Sequence, residues 1–277
     1  MRIVVTGGSG LVGRGVVGLL SGEHDVVNLD IEPRSIPGVE FVRADVRDPA
    51  ALCATFSGAR AVVHAAAIPG PTFGTEDEIF DVNLEGTRNV ALAAVETDVA
   101  RIVFISSESV LGFVFSGGGV RPQYLPVDES HPLAPAGPYG RSKLLAEAAL
   151  ARVATDALSV VSLRPPWVWA PEEYDKCRGL TLHPEDWWDG LWAYVHRDDL
   201  ARAVERALTG DILAGFHAVY VAAPDNGTVV PTRDLVEEYY PRVTLADDTP
   251  EYGSLVSSRG AGALLGFAPK MSWRNFL

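Results

Sequence analysis

The sequence predicts an α/β protein with a doubly wound parallel sheet and a small C-terminal lobe, on three observations. Short β-branched runs alternate with longer segments of helical periodicity up to Arg164, which is typical of successive βαβ units. The first run ends in a glycine-rich turn. After Arg164 the alternation stops in a segment rich in Pro, Trp and acidic residues. We therefore expect one domain over residues 1–164 and a smaller lobe over 165–277, with elements of about 195–222 packing back on the first domain.

Each strand is predicted from a short apolar, β-branched run, and each helix from an apolar period of about 3.6 residues. The strands are expected at 2–6, 25–30, 39–45, 60–66, 101–107 and 158–164. The helices between them are expected near 10–21, 49–57, 75–97 and 138–155. In the lobe we expect a helix at 197–208, a strand near 217–222, and short helices near 232–239 and 254–265. Residues 116–138 contain Gly-Gly-Gly and five prolines, which predict a long loop.

Composition excludes several classes of function. The net charge of -13, without any run of Lys or Arg, disfavours a nucleic-acid partner. Cys53 and Cys177 lie far apart without a C-x-x-C pattern, so we expect neither a disulfide framework nor a metal site. The first predicted strand begins at residue 2 and no apolar stretch approaches the length of a membrane span. We therefore expect a cytoplasmic protein without a membrane partner.

The glycine-rich turn TGGSGLVG, residues 6–13, predicts a phosphate-binding site between the first strand and helix. Gly7 allows a tight turn, Gly10 lets a phosphate approach backbone N–H groups, and Gly13 lets the helix pack closely. The residues expected to meet a dinucleotide at this turn are Gly7, Gly10, Leu11, Val12 and Gly13. The turn therefore predicts a Rossmann-type dinucleotide-binding domain over 1–164 and leaves 165–277 as the substrate-binding lobe.

The second predicted strand ends in Asp30, at the distance expected for a carboxylate that accepts hydrogen bonds from a ribose diol. Because this carboxylate would repel a 2′-phosphate, the sequence favours NAD over NADP as cofactor. Arg14 and Arg34 are close enough in sequence to weaken that preference, and Arg34 is itself a candidate cofactor contact.

The segment YGRSK places Tyr139 and Lys143 four residues apart, on one helical face. The ammonium group can favour the tyrosinate and bond a nicotinamide ribose, so that the tyrosine can transfer protons. Ser106 and Ser107 follow the fifth predicted strand, where ligands bind in open α/β sheets, and a hydroxyl there can orient a substrate alcohol or ketone. A Tyr and a Lys at this spacing are also common as an exposed pair, but their order among the other motifs favours a catalytic site.

Together these motifs resemble the extended short-chain dehydrogenase/reductase superfamily, also called the NAD-dependent epimerase/dehydratase family. The matching pieces are TGGSGLVG, Asp30, Asp45 with Val46, HAAA (64–67), VNLEGT (82–87), ISSESVLG, YGRSK, LRPPWVWAP and VHRDDLARA. The resemblance implies that Ser107 takes the catalytic serine position, that Tyr139 is the general acid/base, and that Lys143 activates it and contacts the ribose. It also implies a homodimer built from the helices near 75–97 and 138–155.

The same resemblance assigns further cofactor contacts. It implies that Asp45 and Val46 flank the adenine, that Ala65, Ala66 and Ala67 line the cofactor, and that Asn83 supports both the cofactor site and the proton relay. Pro166 and Val168, within LRPPWVWAP, are also expected at the cofactor. Two simpler roles stay open: Asn83 can merely pin a helix, and His64 can be a hydrogen-bonded buried histidine.

Departures from the family pattern narrow the reaction. Glu108 takes the first of two acidic places found in family dehydratases, but Ser109 takes the second, so dehydration lacks one acid. Trp167 stands where nucleotide-sugar epimerases usually carry an Asn that meets the diphosphate, and EEYD (172–175) adds negative charge nearby. Only a short lobe follows. A small substrate is therefore favoured, and the outline is similar to that of uronate dehydrogenases.

Five of the six tryptophans fall between residues 167 and 192. Their rings can stack on a sugar, or they can form an aromatic core that joins the lobe to the sheet, and both interpretations stay open. The candidate substrate contacts are Ser107, Glu108, Trp167 and Arg178. Arg164 and His183 are further polar candidates.

The sequence thus predicts an NAD(P)-dependent oxidoreductase that transfers a hydride between nicotinamide and a hydroxyl or keto group of a small, sugar-like substrate. Three alternatives stay open. They are a nucleotide-sugar epimerase with transient hydride transfer, a uronate dehydrogenase-like enzyme, and a regulatory protein that binds dinucleotide without turnover.

Overall fold

The computed structural model describes residues 1–212 and 214–276. In chain order its strands are β1 (Arg2–Thr6), β2 (Asp25–Asp30), β3 (Glu40–Arg43), β4 (Ala61–His64), β5 (Arg101–Ile105), β6 (Tyr124–Leu125), β7 (Ser159–Arg164), β8 (Trp167–Trp169), β9 (Tyr194–His196), β10 (Phe216–Tyr220) and β11 (Thr244–Leu245). Its α-helices are α1 (Leu11–Leu20), α2 (Pro49–Phe56), α3 (Glu76–Phe80), α4 (Gly86–Glu96), α5 (Pro138–Val153), α6 (Tyr174–Thr181), α7 (Arg197–Thr209), α8 (Thr232–Tyr239) and α9 (Arg259–Leu265).

Within the described residues, seven parallel strands form one sheet in the order β3-β2-β1-β4-β5-β7-β10. The strand order reverses between β1 and β4, and ligands of open α/β sheets bind at the carboxyl ends of the strands beside such a reversal. The glycine-rich turn leaves β1 at this edge. The fold class predicted from the sequence is confirmed.

Helices cover both faces of the sheet, which explains why its central strands are apolar throughout. On one face α1 packs against α7, and Val16, Val17, Leu200 and Val204 are fully buried there. On the other face α2, α4 and α5 pack together. The strand β10 lies beside β7, so residues from beyond 164 complete the sheet edge. The division of the chain at residue 164 stays a prediction.

The remaining elements form a lobe around an aromatic core. The pairs β6–β11 and β8–β9 are short parallel ladders. The largest fully buried side chains of this core are Trp169, Trp192, Tyr194, Tyr220 and Tyr240. No helix in 1–212 or 214–276 is long and apolar enough to cross a membrane.

Three segments differ from the predicted elements. The helix expected at 254–265 begins only at Arg259, because Val127 exchanges backbone hydrogen bonds with Leu255 and Ser257 and holds them extended. The helix expected at 75–97 contains a π-helical turn at Asp81–Glu85. The loop expected at 116–138 contains β6, and α6 arises in a segment where no helix is predicted.

Candidate active site

The glycine-rich turn forms a cradle at the start of α1. Gly7 has φ +73°, and a Cβ there would lie 2.4 Å from the backbone nitrogen of Ala66. A Cβ at Gly13 would lie 2.1 Å from the Gly7 carbonyl oxygen. Gly10 caps α1 without a side-chain hydrogen bond, so the first N–H groups of the helix face outward for an anion. The turn therefore fits a dinucleotide pyrophosphate. The residues brought to it are Gly7, Gly10, Leu11, Val12 and Gly13.

Asp30 is held beside this turn at the end of β2. Its Oδ2 accepts the backbone N–H of Ser9 at 3.0 Å, and its Oδ1 accepts the N–H of Glu32 at 3.0 Å. Each carboxylate oxygen keeps a further lone pair. The carboxylate can therefore accept the hydroxyls of a ribose that follows the pyrophosphate.

The adenine end of the predicted site is shaped by Asp45 and Val46. Arg47 holds the Asp45 carboxylate, with its Nη2 2.7 Å from Oδ2, and this pairing lowers the pKa of Asp45. Val46 is buried against Gly86. A Cβ added to Gly86 would lie 2.6 Å from the Cγ2 of Val46. Asn89 donates to the Val46 carbonyl at 3.3 Å. This segment is therefore rigidly docked on α4.

The other predicted cofactor-lining residues leave neighbouring strands. Ala65, Ala66 and Ala67 follow β4, and the N–H of Ala65 donates to Thr6 at 3.0 Å. Pro166 is buried before β8, while Val168 is half-buried and pairs with Val195 of β9. The alanine segment thus lies at the carboxyl edge of the sheet, after β4. Pro166 and Val168 lie after β7, immediately before β8 and within it.

Tyr139 and Lys143 lie one turn apart at the beginning of α5. Pro138 occupies the first turn and sets the start of the helix. The Lys143 Nζ donates to the Ile105 carbonyl at 2.8 Å, 4.9 Å from the centroid of the Phe104 ring and 5.8 Å from that of Tyr139. The ammonium group is therefore anchored to the end of β5 and faces the ring of Tyr139.

Ser107 joins β5 to this pair. Its Oγ accepts the N–H of Ser109 at 3.1 Å and so caps the 3-10 helix Glu108–Leu111. Its hydroxyl is also near enough to the phenol of Tyr139 to lower the pKa of that group. The structure therefore brings the predicted Ser107, Tyr139 and Lys143 together.

Burial controls the titration of both α5 residues. It raises the pKa of Tyr139 to about 12, and the nearby Ser107 hydroxyl opposes this rise. Burial lowers the pKa of Lys143 to about 7, although the negative charge of Glu147 favours the protonated ammonium. A neutral phenol and an easily neutralised lysine are therefore the state of the site without a bound ligand.

Asn83 lies in the π-helical turn and is almost fully buried. Its Oδ1 accepts the N–H of Ile68 at 2.7 Å, and its Nδ2 donates to the Ile68 carbonyl at 3.1 Å and to Ser142 Oγ at 3.2 Å. In the described part of the chain its side chain bonds neither Tyr139 nor Lys143. Its geometry is that of a residue that ties the loop after β4 to α5.

His64 is neutral, and its hydrogen bonds fix its tautomer. Thr87 donates its one hydroxyl hydrogen to the Asn83 carbonyl at 2.6 Å, so it accepts from Nε2 of His64 at 2.9 Å. Nδ1 then accepts the hydroxyl of Thr6 at 2.7 Å. Burial lowers the pKa of His64 to about 3. This histidine is a structural link between β1, β4 and α4.

Two of the predicted polar contacts are engaged elsewhere. Arg164 is buried and forms a bidentate pair with Glu147, with Nη2 2.7 Å from Oε2. His183 is exposed and pairs with Glu185 at 3.2 Å. Arg178 is exposed on α6, and its guanidinium forms no hydrogen bond or ion pair with a described residue. The structure therefore does not bring Arg178 to Ser107 and Tyr139.

The tryptophans divide between the core and the surface of the lobe. Of the five between residues 167 and 192, three are buried, namely Trp169, Trp187 and Trp192. Trp167 is half-buried, with its ring edge-on to Trp187 at 6.0 Å and the Lys176 Nζ 4.6 Å from its centroid. Trp188 is also half-buried. The aromatic-core interpretation therefore holds for these three buried tryptophans. Within the cluster 167–192, only Trp167 and Trp188 have ring surface left for a ligand.

Glu108 is 8% exposed and stands directly after Ser107. Burial, followed by the charge of Asp189, raises the pKa of its carboxyl well above the usual range. Asp189 and the nearby Tyr240 were not predicted as site residues. No local signal marks them, because their proximity to Glu108 arises only when the lobe folds against the sheet.

Comparison with known proteins agrees with this geometry. The sequence model of the NAD dependent epimerase/dehydratase family matches residues 3–183. An L-arabinose 1-dehydrogenase (NAD(P)(+)) of Haloferax volcanii is 35% identical over 231 residues, which cover 77% of this chain and 86% of that protein. A UDP-glucose 4-epimerase of Halalkalibacterium halodurans is 33% identical over 156 residues, 53% of this chain and 44% of that protein.

Among solved structures, MoeE5 in complex with UDP-glucuronic acid and NAD superposes with a TM-score of 0.73 at 23% identity, over 99% of this chain and 95% of that chain. At this identity the superposition shows the fold alone. The family match and the arabinose dehydrogenase relative confirm the predicted resemblance and the nicotinamide dinucleotide cofactor. The chain belongs to the NAD dependent epimerase/dehydratase family and is an NAD(P)-dependent enzyme of the extended short-chain dehydrogenase/reductase type.

Proposed function

We propose that the chain is an NAD-linked dehydrogenase of a small, sugar-like hydroxyl or keto compound. One observation carries this proposal: the phenol of Tyr139, near Ser107 and one turn from Lys143, lies at the same sheet edge as the glycine cradle. The arabinose dehydrogenase relative, spanned over 86% of its length, supports a sugar substrate. Screening sugars, uronates and ketones for a change in NADH absorbance tests it.

The chemistry divides between the cofactor and the protein. When bound, the nicotinamide ring gives or takes the hydride. Tyr139 takes the hydroxyl proton during oxidation and returns it during reduction. Ser107 orients the substrate oxygen toward that phenol. Lys143, anchored at Ile105, supplies positive charge that favours the tyrosinate and a donor for the ribose.

The rate of alcohol oxidation should rise with pH. Because burial places the pKa of Tyr139 at about 12, the tyrosinate is a small fraction at neutral pH. That fraction grows about tenfold per pH unit below the pKa. We expect kcat/KM for oxidation to increase from pH 7 to pH 9, and that for reduction to change little because the phenol stays protonated over this range. A profile for oxidation that is flat over this range would contradict the role of Tyr139.

The preference for NAD rests on Asp30. Arg14 is engaged by Glu172 at 2.7 Å, and no hydrogen bond or ion pair joins the exposed Arg34 to Asp30 among the described residues. In Asp30→Ala we expect about tenfold weaker NAD binding and a smaller change for NADP, because a charge-assisted bond and a repulsion are both removed. Asp25→Ala, at the opposite end of β2, serves as control in fluorescence titrations with both reduced cofactors. Equal losses for the two cofactors would refute the assignment.

A nucleotide-sugar epimerase is the second candidate, supported by the epimerase relative, of which the chain spans 44%. The half-buried Trp167 argues against it, since it fills the place of the amide that meets the diphosphate in such enzymes. A uronate dehydrogenase-like activity is the third candidate. For this activity the described site lacks a clear cation to bind the substrate carboxylate, because Arg164 is paired with Glu147.

A homodimer and a cytoplasmic location complete the proposal. Apolar side chains on α4 and α5 are exposed, with Leu92 61%, Val95 52% and Leu145 47% accessible. Pairing these helices across a two-fold axis would bury them. We expect a dimer in light scattering at micromolar concentration, and a monomer would contradict it. The two free thiols, Cys53 and Cys177, suit a reducing compartment.

A further inference from the structure

The carboxyl group of Glu108 is buried in the candidate site without a protein partner. Its backbone N–H donates to the Pro165 carbonyl at 2.9 Å, which fixes the residue between Ser107 and the segment of Trp167. Its carboxyl forms no hydrogen bond or ion pair across the described ranges. Buried polar groups are normally hydrogen-bonded, since leaving one unpaired costs free energy. Folding alone therefore does not explain this side chain.

The same short segment contains two further orphaned polar atoms. Ser106 and Ser109 are 2% and 3% exposed, and the Oγ of each is buried without a hydrogen-bond partner among the described residues. Three of the four consecutive side chains from Ser106 to Ser109 thus have unused hydrogen-bonding capacity. The two serine oxygens are too enclosed for a ligand to contact, so the group of this segment left for a ligand beside Ser107 is the Glu108 carboxyl, which is not fully enclosed.

The surroundings of Glu108 in the lobe are acidic. Asp189 acts on Glu108 by its charge, and it is held in place by the N–H of Phe115 at 3.3 Å from Oδ2. The charges of Asp189 and Glu108 also reach Tyr240, whose hydroxyl donates to the Trp188 carbonyl at 2.6 Å. Asp189 and Tyr240 thus place the lobe wall of the site against Glu108.

Arg121, a cation of this wall, is directed elsewhere. Arg121 donates to the Tyr239 carbonyl at 2.9 Å, and its guanidinium lies 5.5 Å from the centroid of the Trp188 ring. It forms no ion pair with Glu108 or Asp189 in the described structure. Around Asp189 and Tyr240 the described residues therefore present hydrogen-bonding groups and negative charge, and the cation Arg121 is already engaged.

We propose that Glu108, backed by Asp189, selects an uncharged polyhydroxyl substrate and rejects sugar acids. A hydroxyl both donates and accepts, so it complements a carboxyl group in either protonation state. A carboxylate on the substrate cannot donate, and its charge repels Asp189. This inference rests on the proposed sugar dehydrogenase function and assigns its substrate class.

The test compares pairs of ligands that differ only at C6, which carries a hydroxymethyl group in the sugar and a carboxylate in the acid. D-galactose is compared with D-galacturonate, and D-glucose with D-glucuronate, by calorimetric titration of the NADH-loaded protein and by NAD-linked turnover. We expect the wild-type protein to bind at least one neutral sugar about tenfold more tightly than its acid, because only the acid meets the like charge of Asp189. Tighter binding of the acids, or binding of none of the four compounds, overturns the inference.

The variants separate hydrogen bonding from charge. Glu108→Leu should raise the KM for the neutral sugar about tenfold or more, Glu108→Gln should raise it less because it keeps a donor and an acceptor, and NADH affinity should not change. Asp189→Asn should narrow the difference between sugar and acid several-fold. Glu185→Gln, an exposed residue of the same lobe, is the matched control.

The outcomes distinguish this inference from the proposed function. If Glu108→Leu and Asp189→Asn both behave like Glu185→Gln, the inference is wrong even while sugars are oxidised. If Glu108→Leu does not fold, Glu108→Gln and Asp189→Asn test the inference through the ratio of the affinities for the neutral sugar and for its acid. Absence of any NADH absorbance change with sugars, uronates and ketones refutes the dehydrogenase function itself.

Discussion

Tyr139→Phe should lower turnover by about a thousandfold while NAD binding changes little, since proton transfer by a positioned group contributes about 10²–10⁴ to rate. The substitution removes one hydroxyl, the only atom of the side chain that can exchange a proton with the substrate. The ring that packs beside Lys143 is kept, so the cofactor site is preserved. Stopped-flow or steady-state absorbance of NADH measures turnover, and quenching of tryptophan fluorescence measures cofactor binding.

Tyr124→Phe is the matched control for this variant. Its phenol also makes a hydrogen bond, to Asp128 at 2.8 Å, but in the loop before α5 and away from Ser107. We expect wild-type turnover from it. Activity of Tyr139→Phe within a few-fold of Tyr124→Phe would remove Tyr139 from the mechanism and leave Ser107 and Lys143 without a proton acceptor.

The parts of the fold that sequence predicted are those set by local pattern. The strands RIVVT and DVVNLD match β1 and β2 residue for residue, since continuous apolar runs bounded by polar residues mark strands buried on both faces. The helix near 254–265 failed at its first turn for the opposite reason. Residues Leu255 to Ser257 have apolar and small side chains compatible with helix, but a partner at Val127, far away in sequence, takes their backbone groups.

The candidate site divides in the same way. Gly7, Ser107, Tyr139 and Lys143 were predicted because short motifs carry their chemistry, and the structure brings the last three together. Asp189 carries no such motif. The tryptophans of the lobe illustrate the same limit. Three of the cluster pack in the core with Tyr194, Tyr220 and Tyr240, and no sequence pattern distinguishes these buried rings from the half-buried Trp167.

Ion pairing also changed two electrostatic expectations. Arg164, a candidate anion contact, pairs with Glu147 of α5, and the charge of Glu147 favours the protonated form of Lys143. Glu172, expected to repel phosphate near the entrance, accepts from Arg14 at 2.7 Å and Arg197 at 2.6 Å, so its charge is largely compensated. Charge patterns in a sequence give the sign of each group, but pairing decides which charges a ligand meets.

UDP-glucose and UDP-galactose should bind the NAD-loaded protein no better than millimolar, about 4 kcal/mol weaker than a micromolar ligand. A buried diphosphate needs several donors or positive charges, because each unpaired anionic oxygen is costly to desolvate. Here Trp167 occupies the place of a donating amide, and Pro165 and Pro166 have no backbone N–H. The nearby Lys176 ammonium lies over the Trp167 ring, 4.6 Å from its centroid.

Calorimetric titration with both nucleotide sugars measures this directly, and Trp167→Asn provides the matched test of cause. Replacing the indole by an amide restores a donor and opens space, so this variant should bind UDP-sugars more tightly than wild type, by about tenfold if one hydrogen bond to a charged group is gained. Trp188→Asn, the other half-buried tryptophan, should show no such gain. Micromolar binding of either nucleotide sugar to the wild-type protein would make the epimerase the leading function, because the diphosphate would then have found partners that Trp167 and the two prolines do not provide.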